Sequence, residues 1–152
     1  MLTGLLHIHS LLRYILLIFI LIAIVKSFSG WLGKKQYLPG DKKVALFTLI
    51  SAHLQLVVGL ILYFVSPSVK VGLANMSAGM KDSQLRFWTV EHIGMMLIAI
   101  VMITFGYSLA KRGKDDKAKH KRIAIFFLLA LIIIFLAIPW PWSAVARGWM
   151  PG

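Results

Sequence analysis

Apolar side chains fall into four long runs along this chain, separated by three polar connections. The runs cover about 2–25, 44–65, 87–110 and 123–140. Each is long enough to cross a bilayer core, which takes roughly 20 apolar residues per helix. The pattern predicts an all-α, polytopic membrane protein in which residues 1–152 form one domain of four transmembrane helices, up-down-up-down. Lys26 closes the first run, and Gly30, Gly33, Pro39, Gly40 and Asp41 break the connection that follows. Ser66, Pro67 and Ser68 stop the second run. The longest connection extends from there to Arg86, and its LANMSAGM stretch is expected to form a short helix at the membrane interface. A charged loop, KRGKDDKAKHKR, joins the third run to the fourth. The fourth run carries no polar marker and reads as a face for lipid or another subunit. It ends at IPWPW, where Trp140, Trp142 and the later Trp149 suit an aromatic belt at headgroup level.

Composition agrees with this pattern. The hydrophobic fraction is 59% and the mean hydropathy +0.83, both above soluble averages. A net charge of +12 would point to nucleic acid in a soluble chain. Here twelve of the seventeen Lys and Arg residues lie in the first and third connections, and only four lie on the opposite side. That asymmetry predicts those connections in the cytoplasm and both termini on the opposite side, which for a bacterial inner membrane is the periplasmic side. The partner it implies is the lipid bilayer, not nucleic acid. Cysteine is absent, which excludes disulfides, thiolate haem ligation, c-type attachment and iron–sulfur clusters. The first run lacks a basic leader and a small-residue cleavage site, so it is expected to be a retained helix.

The candidate chemistry lies in the few polar groups inside the spans, where ionisable side chains are costly and usually functional. At 1.5 Å per residue, His9 lies roughly 6–7 Å outward of the midplane, His92 roughly 9 Å to the same side, and His53 near the middle. His7 lies nearer the outer surface, and His120 is expected in a solvated cytoplasmic charge cluster. Axial ligation of a b-type haem needs two histidines of similar depth on facing helices. His9 and His92 meet that condition best, with His53 as the alternative ligand. Arg13, one turn after His9 on the same face, is a candidate haem-propionate partner. Arg13 and Glu91 are the two charged residues well inside the spans, and they are expected to form an intramembrane ion pair. Ser51, Gln55 and Gly59 share one face of the second helix, with His53 pointing the other way. Met95, Met96 and Met102 read as packing residues. No span reads as interrupted, which argues against a transporter.

The blocks HIHSLLRY, SAHLQLVVGLILYFVSP, RFWTVEH, KHKR and IPWPW together span nearly the whole chain. With them the chain resembles a family of small four-helix membrane proteins of Bacteroidetes labelled "cytochrome B". The resemblance implies haem b, with His9, His53 and His92 as its candidate ligands. In outline the architecture is also similar to four-helix haem proteins of membrane redox chains and to the small bacterial protoporphyrinogen oxidase family. The expectation is a cytochrome-like electron carrier exchanging electrons with quinone or a respiratory complex. The alternatives are an accessory subunit or assembly factor of a larger membrane complex, and a membrane haem-pathway enzyme.

Overall fold

The computed structural model describes residues 1–149, and they are helical nearly throughout. The elements are α1 (Leu2–Leu32), α2 (Pro39–Val65), α3 (Pro67–Ala74), α4 (Met76–Gly79), α5 (Ser83–Arg86), a π turn (Phe87–Glu91), α6 (His92–Lys111) and α7 (Asp116–Ala137). α5, the π turn and α6 run on as one helix, so four helices are long and apolar enough to cross a membrane. α1 packs on α2 and α7, while α6 packs on α7 and α2. The four therefore form a square in which α1 and α6 stand on one diagonal. Short connections at 33–38 and 112–115 join antiparallel neighbours at one end of the bundle. The other end carries the chain start, α3 to α5, and the segment after α7.

The distribution of side-chain size is that of a membrane protein. Ile18, Val57, Ile98 and Leu136, one from each span, are all more than half exposed. Ala45, Ala52, Ala99, Ala124, Ala130 and Ala137 are fully buried. Small residues inside let helices approach closely where lipid leaves no hydrophobic drive between them. The architecture is that of a multi-pass membrane protein.

Three details differ from the sequence expectation. α1 does not close at Lys26 but continues to Leu32. At 1.5 Å per residue it is about 46 Å long, more than the roughly 30 Å hydrocarbon core alone requires. Lys26 reaches sideways to Asp41 (3.5 Å) in the first turn of α2. Asp41 also accepts the Leu38 N–H (2.9 Å), which caps α2 ahead of Pro39. The fourth helix is an outer face on one side only: Leu129, Ile132, Phe135 and Leu136 are exposed, while His120, Ile123, Ala124, Phe127, Ala130, Ile134 and Ala137 are buried against α1 and α6.

His120 is the third correction. It is not solvated; only 1% of its surface is exposed. Its ring fills the notch beside Gly30 of α1, where any Cβ would land on the imidazole. The ring also stands edge-on to Tyr37, with centroids 5.0 Å apart, and its Nε2 lies 3.2 Å from the Gln36 carbonyl oxygen. The LANMSAGM stretch divides between the end of α3 and α4, with a break at Asn75. The side chain of Asn75 caps α4 by accepting the Ala78 N–H at 3.1 Å.

Candidate functional site

At the end of the bundle opposite the short connections, a cavity opens between α1, α2 and α6. Its volume is about 240 Å³. His9, Arg13, Gln55, Gly59, Tyr63 and His92 line it, with Trp88 and Arg147 near the mouth.

His92 owes its placement to the π turn. Its backbone N–H bonds the Phe87 carbonyl five residues back, so one extra residue enters the helix just before it. Such bulges rotate the side chains that follow, and they recur at functional sites. The carbonyl of Thr89, within the turn, accepts the Tyr63 hydroxyl at 2.8 Å. The Nδ1 of His92 lies 2.8 Å from the carbonyl oxygen of Ala137, the last residue of α7. A helix-end carbonyl has no partner within its own helix and can only accept. Nδ1 therefore carries the proton, and Nε2 keeps a free lone pair.

His9 approaches from the diagonal helix. The two ring centroids are 6.4 Å apart with planes at 68°. The His9 ring lies against Gly59, whose missing side chain makes the space: a Cβ there would sit 3.2 Å from Cε1. Gln55 donates its Nε2–H to the His9 backbone carbonyl at 2.9 Å, fixing α2 against α1 at this level. Arg13 lines the same wall, and its Nη2 donates to the Trp149 carbonyl (2.8 Å) and the Tyr14 hydroxyl (3.1 Å).

Among the described residues, Nδ1 of His9, Nε of Arg13 and Oε1 of Gln55 are buried without a hydrogen-bond partner. Buried polar atoms are nearly always paired, so these three leave hydrogen-bonding capacity for water or a polar ligand around one cavity. Arg147 extends its guanidinium over the Trp88 ring, 4.5 Å from the centroid. Burial lowers the Arg147 pKa from its ordinary value, and the aromatic face offsets part of that desolvation.

The structure thus brings His9, His92 and Arg13 to one cavity. It does not bring His53 there. That side chain is exposed on the outer surface of α2, with Nε2 3.0 Å from Thr104 Oγ1. Thr104 donates its own proton to the Ile100 carbonyl, so His53 is the donor in that pair. Nor does Glu91 pair with Arg13, which corrects the expected intramembrane ion pair. Glu91 is bound by Arg86, Nε to Oε1 at 2.6 Å. His7 is exposed near the start of α1.

Sequence reasoning did not assign Tyr63, Trp88 or Arg147 to the site. Tyr63 extends the Ser51–Gln55–Gly59 stripe by one more step of four, and Trp88 stands four before His92. Both were available from helical spacing. Arg147 follows the last helix, where no periodicity marks it. No protein-family profile, curated protein or solved structure matches the chain.

Proposed function

We propose that this membrane protein binds a b-type haem between His9 and His92 and serves as an electron carrier in the bilayer. The observation that carries the reading is the separation of the two imidazoles. A metal held at about 2 Å from each of two facing imidazole nitrogens sets the ring centres about 6 Å apart, and these stand at 6.4 Å. The second support is the tautomer of His92. Histidine ligands typically donate their other N–H to a carbonyl or carboxylate, which orients the ring and raises its basicity. The Ala137 carbonyl serves that purpose here.

In this reading His9 and His92 are the axial ligands. Gly59 gives the His9 ring its seat, and Arg13 and Arg147 supply positive charge for propionates at the mouth. The haem would contribute one-electron redox chemistry. The protein would contribute ligand identity, a largely apolar surround and charge compensation, the levers that tune a haem potential. Quinone or a membrane redox complex is the class of electron partner that suits such a carrier.

Reconstitution with haemin followed by optical spectroscopy tests the reading. The wild-type chain is expected to show a sharp reduced α-band and one haem per chain by pyridine haemochrome. His9→Ala and His92→Ala should each abolish the six-coordinate spectrum, while His53→Ala retains it. A wild-type protein that takes up no stoichiometric haem would overturn the proposal.

A further inference from the structure

A second cavity, of about 360 Å³, lies at the opposite end of the bundle. Its walls come from the 33–38 connection and the helix ends around it: Tyr37 and Pro39 where α2 begins, Lys42 on α2, Tyr107 and Lys111 on α6, and Lys119 on α7. Three lysines from three helices thus line one cleft, and no carboxylate lines it among the described residues. None of the three lysines takes part in a salt bridge among the described residues. Asp41, the acidic neighbour of Lys42, is held by Lys26 and by the Leu38 N–H.

The two tyrosines add neutral donors and apolar surface. Burial, then Asp41 and Tyr107, push the Tyr37 phenol up to about 12, so it remains an O–H donor at physiological pH. Lys119 Nζ lies 5.9 Å from the centre of the Tyr37 ring, within cation–π range. Arginine is missing from the lining. The nearby Arg112 and Arg122 turn to the carbonyls of Ser108 and Leu109. Lysines act as point charges on a compact multivalent oxyanion, whereas arginine favours planar, two-point recognition.

The geometry points to a site for the phosphate of an anionic phospholipid. The three lysines neutralise the phosphate and the Tyr37 hydroxyl hydrogen-bonds it. Pro39 and the two tyrosine rings receive the apolar part of the headgroup region. The cleft stands at the ends of α6 and α7, the level of lipid headgroups in a spanning bundle. A free phosphate would have no use for that apolar wall, which selects the lipid as the source. The site is remote from the His9–His92 cavity and does not depend on haem.

Native mass spectrometry of the full chain in a neutral detergent tests this. The probes are dioctanoyl-phosphatidylglycerol, dioctanoyl-phosphatidylcholine and sodium phosphate. The expected result is one saturable phosphatidylglycerol adduct and no comparable phosphatidylcholine adduct. The triple variant Lys42→Gln, Lys111→Gln, Lys119→Gln should weaken that adduct at least roughly tenfold, since each basic residue near a membrane surface contributes severalfold. The triple variant Lys34→Gln, Lys35→Gln, Lys114→Gln removes the same charge at the same end but outside the cleft, and should leave it intact. Equal weakening by both variants would reduce the site to a diffuse basic face and overturn the proposal. Unchanged binding by the cleft variant would overturn it too. Sodium phosphate binding as tightly as the lipid would assign the cleft to a soluble ligand instead.

Discussion

At the scale of single residues, two assignments turned on partners that the chain order hides. Glu91 and Arg86 are five apart, a spacing that sets side chains on different faces of an α-helix. The π turn between them absorbs one extra residue and closes that angle. A reading that assumes α-helical spacing therefore sends Glu91 across the bundle to Arg13. His120 is hidden in another way. Its KAKHKR setting reads as water-facing, and only the notch at Gly30, ninety residues earlier, makes it a core residue. That contact is testable. Gly30→Ala should displace the ring and destabilise the bundle by about 1–3 kcal/mol, the usual cost of overpacking. Gly94→Ala, where a Cβ meets nothing within 4 Å, should change stability little. Thermal unfolding of the two variants in one detergent distinguishes them. Equal midpoints would mean that the imidazole does not occupy the notch. By contrast, the common level of His9 and His92 was legible from depth, because a helix rises by a constant amount per residue; the direction in which His92 faces was not, because the π turn sets it.

At the scale of elements, the four spans were readable because hydropathy over twenty residues outweighs local detail. Their ends were not, because ends are set by caps. α1 stops in a Schellman arrangement, with the Lys35 N–H bonded to the Gly30 carbonyl at 2.9 Å. The residue between the helix end and that donor is Lys34, which adopts a left-handed backbone with φ of 52°. Glycine usually holds that position, since a Cβ there costs roughly 1 kcal/mol or more. Lys34→Gly is therefore expected to raise stability by about 1 kcal/mol, read as a higher unfolding midpoint of the detergent-solubilised chain. A lower midpoint would show that the lysine side chain contributes more than the backbone loses. The sequence placed glycine at 33 and lysine at 34, and so gave no cue to where the reversal falls. The π turn was equally silent, since its defining bond joins residues whose types have no preference for it.

At the scale of the whole molecule, charge and shape make separate statements. The fold sorts small side chains inward and large apolar ones outward, as a bilayer requires. The distribution of Lys and Arg adds an expected direction, with the 33–38 and 112–115 connections facing the cytoplasm. The native chain has no cysteine, so single introduced thiols report sidedness directly. In intact cells, a membrane-impermeant maleimide should label Lys70→Cys and spare Lys114→Cys until the membrane is opened. The reverse labelling would invert the topology. The segment after α7 has a bearing on how such a molecule is made. Gln84 donates to the Ala144 carbonyl, Arg13 and Tyr14 both donate to the Trp149 carbonyl, and Arg147 covers Trp88. The stretch thereby straps the mouth of the His9–His92 cavity to the first and third spans. A ribosome delivers Arg147 and Trp149 only after all four spans, so this mouth stands unstrapped during translation. For the haem proposed above, that order of synthesis would leave the entrance clear until the last segment is added.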